Sequence, residues 1–67
     1  MSYRYYATQR PPMLGCIPKG ASEVVFLDER PIVEEIGRPA WGYAEYSRKL
    51  TDVEIAEYEL VDANHEN

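Results

Sequence analysis

With 67 residues, 45% of them hydrophobic, and with Cys16 and His65 as its single cysteine and histidine, the chain can fold but can form neither an intramolecular disulfide nor a Cys/His zinc set. Its net charge of −5 disfavours general binding to nucleic acid or to an anionic membrane, and no apolar run approaches the roughly 20 residues of a membrane span or the core of a secretory signal. A domain this small buries only about 60% of the surface its unfolded chain exposes, so self-association stays open as a source of stability, and the unpaired thiol points to the reducing cytoplasm.

Residues 3–8 read as a strand, because aromatic and β-branched side chains suit a pleated surface. Tyr3, Tyr5 and Ala7 share one face, and Arg4, Tyr6 and Thr8 share the other. Pro11-Pro12 ends this strand, since neither proline can donate to a ladder. Residues 13–22 combine Gly15, Pro18 and Gly20 with Met13, Leu14 and Ile17, the pattern of a loop with apolar side chains to bury. The Val24-Val25-Phe26-Leu27 run predicts a central strand over residues 23–27, and residues 28–37, broken by Pro31, predict a short helical turn or an irregular connection.

In residues 40–47, Trp41, Tyr43 and Glu45 alternate with Gly42, Ala44 and Tyr46, which predicts a third strand with Trp41 anchoring the core. Thr51-Asp52-Val53-Glu54 matches a capping box and opens a helix whose first turn carries two acids. Around that helix Val53, Ala56 and Leu60 form one stripe, and Ile55 and Tyr58 form another nearly opposite. One sheet cannot bury both; Ile55 and Tyr58 pack along the helix edge against the loop of residues 13–17 or meet a partner. The expectation is an α+β fold: a small three-stranded, mainly antiparallel sheet with one C-terminal helix packed on one face. A single domain spans residues 1–61, and residues 62–67 form a polar, frayed tail.

Residues 1–20 carry three basic side chains, Arg4, Arg10 and Lys19, and no acid, whereas residues 51–67 carry six acids and no base. No motif for catalysis, for a cofactor or for a metal stands out: Cys16 has no histidine near it in sequence, and His65 lies in the acidic tail with nothing to hold it in place. Glu34-Glu35 and the pair Glu57 and Glu59 read as solvated acids rather than an acid and base set. The expectation is therefore a non-enzymatic protein without a cofactor.

Tyr3, Tyr5 and Tyr6 interleaved with Arg4 and Arg10 have the composition of a stacking platform for single-stranded nucleic acid, but tyrosine and arginine are equally the residues of protein interfaces. The net negative charge favours the second use. With one helix covering one sheet face, the partner-binding residues expected are Arg4, Tyr6 and Arg10 on the open face, with Ile55 and Tyr58 on the second helix stripe.

The runs Thr8-Gln9-Arg10-Pro11-Pro12, Ile36-Gly37-Arg38-Pro39-Ala40-Trp41-Gly42-Tyr43 and Leu50-Thr51 to Tyr58-Glu59-Leu60 resemble those of small uncharacterised proteins carried on phages and integrative elements of Gram-positive gut bacteria. The resemblance covers most of the chain and implies accessory cargo, a class that includes inhibitors of host defence and regulators. The function expected is binding to another protein. Two alternatives stay open: an acidic nucleic-acid mimic that occupies a partner's phosphate-binding groove, and a single-stranded nucleic-acid binder that uses the N-terminal Tyr/Arg strand.

Overall fold

The computed structural model describes residues 2–63. The elements run β1 (Tyr3–Ala7), β2 (Glu23–Phe26), β3 (Ile32–Val33), β4 (Arg38–Pro39), β5 (Gly42–Tyr46), α1 (Asp52–Glu57) and β6 (Leu60–Asp62). The fold is α+β, with one short helix and an antiparallel sheet. The sheet has four strands rather than three, in the order β2-β5-β1-β6, and β3 and β4 form a separate two-stranded ribbon. The strand the sequence reading omitted is β6: Ala7 pairs with Leu60, Tyr6 with Val61 and Tyr5 with Asp62. The expected tail over residues 62–67 thus starts inside a strand, and Ala63 is buried as well; the rest of that tail, His65 included, lies outside the described residues.

In register, Tyr5 faces Ala44, Tyr6 faces Tyr43 and Ala7 faces Gly42, so alternation sorts the sheet into two faces. On the first, Tyr5, Ala7, Ala44 and Tyr46 form the main core with Ile17, Leu50 and Leu60. Ile55 and Tyr58 pack against its margin. The helix therefore lies on the face carrying Tyr3 and Tyr5, as the strand pattern implies. Its inward side is the half-buried Ile55 and Tyr58 stripe, whereas Val53 is 72% exposed. The physical reason lies in where the helix stops: Glu59 adopts a left-handed φ of 55°, and Leu60, grouped by periodicity with Val53 and Ala56, belongs to β6 instead.

The second face is not open. Tyr6, Ala40 and Ala63 form a second buried cluster, flanked by Leu27, Val33, Ile36 and Tyr43. The β3–β4 ribbon and its approaches thus cover the face that one helix cannot reach. Trp41 is half-buried at the margin of this layer, with the Arg30 guanidinium 5.3 Å from its ring, so it is not the core anchor the strand pattern suggests. The most enclosed large side chains are Tyr5, Tyr46 and Pro12.

The capping box forms in full: the Thr51 hydroxyl accepts from the Glu54 amide at 3.1 Å, and the Glu54 carboxylate accepts from the Thr51 amide at 3.0 Å. A helix of six residues has little cooperativity of its own, so its ends matter more than its propensity. Thr51→Ala is expected to cost about 1 kcal/mol and to lower the melting temperature by roughly 4–8 °C, whereas Thr51→Asp keeps the cap. Calorimetry of the two variants checks this, and equal melting of Thr51→Ala and the unaltered protein is the contrary result.

Candidate functional site

The residues expected at a binding surface are brought together only in part. On β1, Arg4 lies opposite Glu45 and donates to its carboxylate through Nε at 2.9 Å and Nη2 at 2.5 Å. The same guanidinium sits 4.1 Å from the centre of the Tyr43 ring, a cation–π contact. These partners, with Glu45 foremost, hold Arg4 in its charged form well beyond the ordinary guanidinium range.

Tyr6 is only 5% exposed, and its hydroxyl donates to Glu35 Oε1 at 2.8 Å. Burial is the main cause that pushes its pKa upward. Tyr6 is thus a core residue with a bonded hydroxyl rather than a solvent-facing contact. The face that one helix cannot cover is covered by a second layer built from residues 27–40. Tyr5 is fully buried as well, so of the three tyrosines of β1 only Tyr3 is partly exposed.

Arg10 is exposed and forms an ion pair with Glu59. This joins the chain leaving β1 to the turn before β6. Glu54 is held by Arg48 at 2.8 Å and by the Thr51 amide, and its pKa falls to about 2, Arg48 being the larger cause. Two of the acids in the C-terminal run are therefore spent on the protein's own cations. Tyr46, whose hydroxyl donates to the Pro18 carbonyl at 2.5 Å, is pushed up to about 12 by burial. This bond ties β5 to the loop of residues 12–21.

That loop forms one wall of an apolar groove of about 670 Å³, within the range of ligand and peptide clefts. Met13, Leu14 and Ile17 of the loop, Val24 and Phe26 of β2, and Tyr58 are among the residues that line it. Alternation explains the strand side: Val24 and Phe26 pair with Ala44 and Gly42, so they project onto the main-core face beyond the edge of the buried cluster. Leu14 is 96% exposed, and Met13 and Phe26 are each more than half exposed. Single exposed apolar residues are ordinary, but several gathered around one concavity mark an interaction surface.

Of the five expected contact residues, only Tyr58 reaches this groove. Ile55 packs beside it against the core, and Arg4, Tyr6 and Arg10 lie elsewhere. The signal that could have found the groove was the trio Met13, Leu14 and Ile17 within a loop rich in glycine and proline. That trio reads as buried, yet only Ile17 is. Cys16 in the same loop is half-buried. Among the described residues no cluster of His, Cys, Asp and Glu is placed to hold a metal, and no helix is long and apolar enough to cross a membrane.

Compared with known families, the chain matches at residues 1–65 the model described as Defence against restriction A C-terminal. No curated protein and no solved structure matches it.

Proposed function

The chain belongs to the Defence against restriction A C-terminal family, and on that premise we propose that it is a non-enzymatic protein-binding module, an accessory inhibitor or regulator encoded by a phage or other mobile element and acting in the cytoplasm against restriction. The observation that carries the binding role is the groove between the loop of residues 12–21 and β2. Met13 and Leu14 of the loop and Phe26 of the edge strand stand there at high exposure. Leaving such side chains in water forgoes the burial that a small domain needs, and a partner's apolar side chains recover it. The partner is a protein, with an apolar segment for the groove.

Neither nucleic-acid reading gains from the geometry. The stacking reading needs tyrosines that are buried, and the mimic reading gives up Glu54 to Arg48 and Glu59 to Arg10.

The test uses a restricting host that expresses the protein and is challenged with unmodified phage. Met13→Asp combined with Leu14→Asp places two charges in the groove at positions whose exposure keeps the cost to folding low. Loss of a central apolar anchor weakens binding by about thirtyfold, equivalent to about 2 kcal/mol. The expected outcome is loss of protection at unchanged melting temperature. Protection that survives in the folded double variant overturns the groove as the site, and a wild-type protein that gives no protection overturns the role.

A further inference from the structure

We propose that the free edge of β2 pairs with the β2 edge of a second copy of this chain, in antiparallel register about a two-fold axis through Val25, to make one eight-stranded sheet. The inference stands on the sheet edge alone and does not depend on the role given to the groove.

β2 ends the strand order, so only one of its two sides meets a neighbour. The Leu27 amide donates to the Trp41 carbonyl at 2.9 Å, and the Val25 carbonyl lies against Gly42. The polar groups of Val25 and Leu27 therefore point at β5. By the alternation of an antiparallel ladder, the amides and carbonyls of Val24 and Phe26 point the other way, along the free edge. Natural edges are blunted by proline, lysine, a bulge or a covering segment. β2 carries no proline or lysine; its one charged residue is Glu23 at its start and it is four residues long, and its Val24 and Phe26 side chains are 38% and 56% exposed.

The edge is complementary to itself. Centred on Val25, antiparallel pairing sets Val24 of each copy opposite Phe26 of the other. These are the residues whose amides and carbonyls point outward, so both ends of the pair form hydrogen-bonded rings. Glu23 then faces Leu27. Centring on Phe26 instead would oppose Glu23 and Glu29, two like charges.

At the strand ends this register brings Glu23 of each copy beside Asp28 of the other, a like-charge approach that keeps the association weak. The net charge of −5 opposes approach at long range and is screened within about 8 Å at physiological salt. One short strand per copy makes a small interface, so the association is weak and concentration-dependent.

A covalent trap reads such a contact. At a non-hydrogen-bonded antiparallel pair the Cα atoms lie about 4.5 Å apart, inside the range a disulfide spans. In a Cys16→Ser background, Val25→Cys is expected to form a disulfide-linked dimer under mild oxidation, seen by non-reducing electrophoresis and intact mass. Val24→Cys in the same background stands opposite Phe26, and its own symmetry mate lies beyond about 7 Å, so it is expected to link at least about tenfold more slowly. Equal rates for the two cysteines signify random collision and overturn the proposal, as does the absence of linkage in both. Phe26→Pro added to Val25→Cys removes an outward amide while leaving the bonds of Val25 and Leu27 to β5 intact, and is expected to abolish the link in protein whose circular dichroism is unchanged. Should that variant not fold, Phe26→Lys serves the same purpose, and undiminished linkage in a folded variant overturns the register.

Discussion

Tyr5→Ala is expected to unfold the domain at room temperature. Tyr5 is fully buried at the middle of β1, edge-on to Tyr46 with ring centres 6.1 Å apart, and its hydroxyl accepts a hydrogen bond from the Leu50 amide at 3.0 Å. Replacing a buried aromatic by alanine costs about 3–5 kcal/mol, and stranding the Leu50 amide adds about 1–3 kcal/mol. At the usual stability per residue, a chain of this length holds about 3–10 kcal/mol in total. Tyr5→Phe separates the two effects, because it keeps the ring and removes only the acceptor, at about 1–3 kcal/mol. Trp41→Ala provides the contrast: its half-buried ring loses less on truncation than Tyr5 does. Urea unfolding of the three variants checks the order, and Trp41→Ala proving the most damaging would reverse the assignment of the core.

Gly42→Ala is expected to be the most damaging small substitution in the chain. A Cβ at this position would collide with the Val25 carbonyl oxygen and stand 2.9 Å from Cγ of the Pro12 ring. Both obstacles are fixed, since the carbonyl belongs to the backbone of β2 and Pro12 is among the most enclosed side chains of the core. Adding one methyl to a packed site costs about 1–3 kcal/mol, and here it also forces β2 away from β5. Pro12→Ala in the Gly42→Ala background is expected to recover little, because the carbonyl remains. A Gly42→Ala protein with an unchanged denaturation midpoint would show that β2 shifts at no cost.

What stood out in the amino-acid order was what depends on neighbours within a few residues. Tyr3, Tyr5 and Ala7, and then Gly42, Ala44 and Tyr46, alternate over enough positions to mark β1 and β5, and the apolar run at 24–27 marks β2. β2 is however an edge strand with Val24 and Phe26 exposed, rather than the central strand that an unbroken apolar run suggests. Thr51 and Glu54 spell out a helix start because both halves of the capping box lie within one turn. The resemblance of three of its runs to mobile-element proteins led towards accessory cargo, and the family match sets the chain in a defence-related family.

Tertiary structure decided the rest. β3, β4 and β6 have two or three residues each, too few to show any period, and they are strands only because of what they pair with. The helix ends where Glu59 turns left-handed without a glycine to announce it. Above all, alternation says which side chains share a face but not what covers that face. The ribbon layer placed Tyr6 in a core and left Arg4 bound to Glu45, while the loop of residues 12–21 left Leu14 in solvent. Burial is a sum over contacts between distant segments, such as the Pro12 ring on Gly42 or Tyr46 on Pro18, and no window of neighbouring residues contains that sum.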